Sequence, residues 1–340
     1  MIRYITLFSL LLIIPFSQVN TQDLYPVKVK KKYGYINVKG EIVIEEKFEK
    51  AHYFKKGFAK IEQTDDSGLF EKVKIGYINE KGEYIAKPQY DRGSDFSEGL
   101  AAVRDGRKWK YINTKGEVEF EVKCDYAYQF SDGYARIQKG RNLGYIDKNG
   151  KEVIKAKYDG AYYFNDGLAR VRKDGKWGYI DKSGKFVIEP KYKECFDFRE
   201  GLANVKDPET GKWGYIDSEG AYVIKPQFDR AYFFSEGRAL IRIGPEKDGK
   251  FGYIDKNGAI IVNPIYYGGF HFSDGYANVA FKEKDKLKWG YIDRGGNVVI
   301  ELQFNYPGNF VNNLAHIKID NLFSGEELYI NKDGEIIWKN

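Results

Sequence analysis

The chain is poor in the residues that build reactive centres. Its 340 residues include 3 His, 2 Cys and 1 Met. Two cysteines cannot make a disulfide framework or a Cys-rich zinc site. The histidines, His52, His271 and His316, stand at unrelated places, and no pair has metal-ligand spacing. No Cys–His set, Ser–His–Asp set, P-loop or Gly-x-Gly-x-x-Gly context occurs. These gaps argue against an enzyme and against a cofactor. After residue 22 there is no helical period of useful length, no linker and no low-complexity tail.

Aromatic residues and glycine are abundant. Tyr (28), Phe (23) and Trp (5) together reach 16%, and there are 37 Gly. That mixture suits strands and tight turns. An apolar content of 42% is enough for a packed core. Residues 1–22 read as a secretory signal: Arg3, then the apolar run Tyr4–Phe16, then polar Ser17–Gln22. That run is short for a membrane span, so membrane attachment is expected only if the segment stays uncleaved. Export to the periplasm, the cell surface or the medium follows.

Residues 23–340 repeat one unit nine times. Tyr-Ile recurs at residues 35, 77, 111, 145, 179, 215, 253, 291 and 329. A Phe follows 19 residues after each of the first eight, from Phe54 to Phe310, leading into an acidic-Gly turn in most copies. Self-similarity of this length marks an array of supersecondary units. Within a unit, Leu168-Ala-Arg-Val-Arg172 alternates as a half-buried strand, Lys176–Asp181 forms a second, and Phe186-Val-Ile188 a third. Asn or Asp followed three residues later by Gly makes the turn between the last two, as in Asp181 and Gly184.

Residues 176–190, with Lys212–Asp217 and Lys288–Asp293, resemble the WG (KWG) repeat of bacterial proteins. The resemblance implies a bacterial, often exported β-repeat protein. It carries no catalytic residues.

Trp177, Gly178, Tyr179, Trp213, Gly214, Tyr215, Trp289, Gly290 and Tyr291 are assigned to the repeat's structure. The Gly inside the strand implies a bulge or an aromatic ring over bare backbone, with close approach of a ligand as the other reading. The Tyr is expected in a core ladder rather than as a sugar platform. Cys124 and Cys195 are expected to be buried, inert thiols. Turn acids such as Glu98, Asp132 and Glu200 are expected to form turns.

Two candidate binding surfaces remain. Arg136, Arg170, Arg172, Lys206 and Arg242 form basic rows if the units stack in phase, either a solvated face or a site for an anionic partner. Asp65, Asp66, Asp207, Glu246 and Asp248 stand in the variable loops, which project on one side.

The expected fold is all-β, a tandem array of nine three-stranded hairpin repeats. An open β-solenoid or superhelix is preferred, because nine exceeds the usual four to eight propeller blades; a β-propeller is the alternative. The expected function is non-enzymatic binding of a protein or a cell-envelope glycan, with no nucleic acid. The alternatives are an envelope scaffold and, remotely, a carbohydrate-active enzyme using groove carboxylates.

Overall fold

A computed structural model describes residues 23–65, 72–284, 286–318 and 326–340. The signal segment expected at 1–22 lies outside them. Among the described residues every regular element is a strand. The strands form nine small antiparallel sheets, each built from consecutive strands. Arranged in a ring, they are the blades of a nine-bladed β-propeller.

Blade 5 shows the plan. Its strands run Gly160–Asn165, Leu168–Lys173, Lys176–Ile180 and Phe186–Tyr192, paired in that order. Asp166 and Gly167 both have positive φ (50° and 82°), the two-residue turn that fits the twist of a hairpin. The first strand of a blade lies against the second strand of the blade before it, as Gly160–Asn165 does against Tyr134–Lys139, which places this side of each blade toward the axis. Outermost strands carry most of the exposed apolar side chains, such as Val187, Val223 and Ile261. Four of these edges contain a proline, Pro88, Pro190, Pro226 or Pro264, which blocks pairing with another chain.

Gly178 sits under the outermost strand. A Cβ there would lie 2.5 Å from the carbonyl oxygen of Ile188. The outermost strand bulges at this crossing: Trp177 pairs with Tyr192 and Tyr179 with Ile188, two residues against four. Of the two structural readings of this Gly, the structure shows the bulge, with a backbone and not a ring over the glycine. Blades 3 and 9 lack the Gly and lack this bulge. Lys110 pairs regularly between Trp109 and Tyr111, and Leu328 beside Tyr329.

Two features differ from expectation. The segment thought to be a bare crossover contains the innermost strand, so seven blades have four strands and not three. In blade 5 that strand breaks register between Ala161 and Phe164, which hides its alternation. In blade 6 it shrinks to two isolated bridges, Cys195 with Val205 and Arg199 with Leu202.

The open solenoid is wrong, because the array closes. Each repeat Tyr donates its hydroxyl to a carbonyl in the next blade, as Tyr179 does to Phe196 (2.6 Å) and Tyr215 to Tyr232 (2.7 Å). The last one, Tyr329, donates to Pro26 of blade 1 at 2.9 Å. Each Asn/Asp-turn Gly abuts an outer-strand residue of the preceding blade: Gly184 meets Ile154, and Gly40 of blade 1 meets Ile337 of blade 9. Tyr25 and Tyr329 pack edge to face at 5.6 Å within a joint core of Val27, Ile36 and Leu314. Among the described residues no strand is exchanged between the ends; closure uses the side-chain contacts of every other seam.

Candidate interaction surfaces

The turn acids do more than shape their own turns. Asp132 accepts the amide of Gly167 in the next blade (2.7 Å), Asp166 that of Gly201 (2.8 Å), and Glu236 that of Gly275 (2.9 Å). A cation from the neighbouring blade completes several sites: Lys148 to Glu98, Lys182 to Asp132, Arg294 to Glu236. This rim is a ring of inter-blade bonds, which commits the acids to structure.

The inner wall is different. Across blades 4–7, arginines alternate with aromatic rings. Arg136 lies 3.8 Å from the ring of Tyr128 and 5.2 Å from Tyr163. Arg170 lies 3.8 Å from Tyr162 and 5.4 Å from Phe196, and Arg230 follows at 5.5 Å from Phe196 and 4.8 Å from Trp213. Arg136 and Arg170 each donate one N–H to the next blade, to Ala161 and Cys195. The Nε of Arg170 is 3.1 Å from Asp197, near enough for charge attraction without hydrogen-bond alignment. Burial holds the Asp197 carboxyl above its ordinary value, against the pull of Arg170, Arg199 and Arg136. One carboxylate therefore faces three guanidinium groups, and Tyr162 stays 40% exposed beside them.

Two of the other basic candidates have acidic partners. Arg172 binds Asp159 (2.9 Å) and Lys206 binds Glu194 (2.5 Å). Arg242 stands across from Phe251 and Arg230, with its Nε buried and without a hydrogen-bond partner. The loop acids scatter. Asp65 ends a second strand, opposite Lys72. Asp66 lies outside the described residues. Asp207 accepts the amide and hydroxyl of Thr210 (2.8 Å each), bonds that hold its carboxyl below the usual range. Glu246 and Asp248 are exposed on the 244–249 loop.

Tyr179, Trp213 and Tyr215 are buried, while Trp177 and Trp289 are half-buried. Cys195 is buried and Cys124 half-buried; burial pushes both thiols up to about 11. His52 and His316 contact Glu62 and Glu327, and His271 contacts Asn309. Among the described residues no group of three metal-binding side chains converges. Sequence reasoning missed Tyr128, Tyr162, Phe196 and Asp197, which occupy the innermost strand it did not recognise.

A family model described as WG containing repeat matches residues 33–65, 75–109, 111–142, 144–177, 177–207, 213–244, 251–284 and 289–323. No curated protein matches the sequence. Among solved structures, the chain is similar to a eukaryotic initiation factor at 11% identity, with 94% of this chain and 96% of that one covered and a TM-score of 0.65. That likeness concerns the fold alone. A Kluyveromyces lactis Hsv2 structure matches more loosely, at 9% identity, 70% and 94% coverage and a TM-score of 0.42.

Proposed function

The chain belongs to the family of WG containing repeats, and from its ring geometry we propose that it is a non-enzymatic interaction module, exported from a bacterium, that holds a protein or cell-envelope glycan against its inner wall. One observation carries this reading. The bonds repeated at the seams (Tyr to carbonyl, turn acid to amide, turn glycine to outer-strand residue) leave the arginine–aromatic arc of blades 4–7 over. Interleaved guanidinium groups and rings are the chemistry of interface anchors and of stacking on sugars or side chains. The arc's acids stand beside its arginines, Asp197 3.1 Å from Arg170 and Glu194 3.6 Å from Arg230, which is not the arrangement of a glycosidase's paired carboxylates.

The experiment is a binding panel of glycans, envelope fractions and surface proteins with the purified protein. Capture of a partner, weakened by Tyr162→Ala, supports the reading. A panel with no binding overturns it in favour of a scaffold.

A further inference from the structure

Two positions shape the seam between blades 8 and 9. In three seams the Lys before the large apolar residue meets an acid 17 residues on, Lys32 with Glu49 (3.4 Å), Lys74 with Asp91 (2.7 Å) and Lys212 with Asp229 (2.6 Å), whereas Lys176 and Lys250 have Lys193 and Tyr267 at that distance. Lys288 meets Asn305 instead, at 3.4 Å, and keeps its charge uncompensated there. Its strand neighbour Lys286 is exposed; it stands across from Glu283 and forms no ion pair among the described residues.

The second position makes room. Blade 9 has Gly308 where blades 4–8 carry Tyr128, Tyr162, Phe196, Tyr232 and Phe270; each, like Gly308, offers its carbonyl to the repeat Tyr. The cleft at this seam measures about 790 Å³, whereas its equivalent between blades 4 and 5, with Tyr162 in place, measures about 340 Å³. The larger volume is that of a small-molecule site. Its apolar wall is an aromatic platform: Phe270 is 46% exposed and lies 5.4 Å from Trp289. On the blade 9 side, Glu327 is shared by Lys318 and His316 (3.3 Å each).

We propose that this cleft binds an acidic saccharide, with its carboxylates on Lys286 and Lys288 and one sugar face on Phe270 and Trp289. This rests on the reading of the protein as a binding module and names one ligand class for it. An acidic peptide fits less well. Its acidic side chains would meet the lysines but bring no sugar face to cover the rings of Phe270 and Trp289.

The test is calorimetric titration of the full protein with hexagalacturonate, neutral cellohexaose and hexaglutamate. Hexagalacturonate is expected to bind, more weakly at high salt, and cellohexaose to bind less. Lys288→Glu should weaken hexagalacturonate binding about tenfold or more. Phe270→Ala should weaken it too. Lys176→Glu, at the same repeat position in blade 5, should leave it unchanged. The proposal fails if hexagalacturonate does not bind, if Lys288→Glu and Lys176→Glu act alike, or if hexaglutamate binds better. Should the panel above still yield a partner, only this proposal falls; should nothing bind anywhere, the module reading falls with it.

Discussion

Replacing Gly178 with Ala perturbs the repeat where its geometry leaves least slack. The new Cβ would lie 2.5 Å from Ile188 O, 2.8 Å from Pro190 N and 2.9 Å from Glu189 C. All three are backbone atoms, so no side-chain rotation relieves the clash. The outermost strand must retreat or the bulge must unwind. Overpacking of this kind costs about 1–3 kcal/mol, and backbone contacts place the expected loss near 2 kcal/mol. For a chain of this size that is a drop of about 3 °C in Tm. Lys110 provides a control inside the same molecule. It holds a Cβ at the equivalent site, and its outer strand pairs without the bulge. Lys110→Ala removes only surface contacts to Asp105 and Glu121, worth about 1 kcal/mol or less. Thermal and urea unfolding of both variants, with amide exchange across Phe186–Tyr192, measure the difference. If Gly178→Ala is neutral, or no worse than Lys110→Ala, the account of the glycine is refuted.

Tyr329→Phe should orphan the carbonyl of Pro26 and unpair Tyr53, costing about 1–3 kcal/mol and speeding amide exchange in blades 1 and 9 before the others. The Lys212 ammonium, with the Gly244 amide, holds the Asp229 carboxyl below its ordinary value. A depressed folded pKa stabilises above the ordinary carboxylate range and is lost as pH falls through the folded value, so stability should decline below about pH 4. Asp229→Asn should lower the urea midpoint at neutral pH and flatten that acid limb. With its thiol raised to about 11, Cys195 should resist a thiol reagent at about pH 8 until the protein unfolds, when it should react at once.

Much of the blade can be read from residues alone. Asn37 to Gly40 and its eight counterparts mark the outer turn, and Gly178 marks the bulge. The innermost strand escapes notice because its register breaks, as between Ala161 and Phe164, and because aromatic residues such as Tyr162 and Tyr163 stand on both sides of it. Ring closure escapes for another reason. Gly40 meets Ile337 by the contact that joins Gly184 to Ile154, so the repeat pattern is the same in an open array and a closed one. The number of blades follows from the wedge between them, which no single residue encodes. The inner wall was half legible. Arg136 and Arg170 were singled out, but the rings between them belong to the missed strand. Lys74 and Asp91 stand 17 residues apart, but only three seams carry such a pair, so Lys288 with Asn305 does not stand out in the sequence.

Closure of the ring underlies both the inner wall and the clefts between blades. The most direct test is a nuclear Overhauser measurement on protein with labelled Tyr and Phe. Rings of Tyr25 and Tyr329, 5.6 Å apart, should give cross-peaks as intense as those of Tyr35 and Phe54, 4.9 Å apart within the array. Cross-peaks for Tyr35 and Phe54 without any for Tyr25 and Tyr329 would mean an open array and would contradict the propeller.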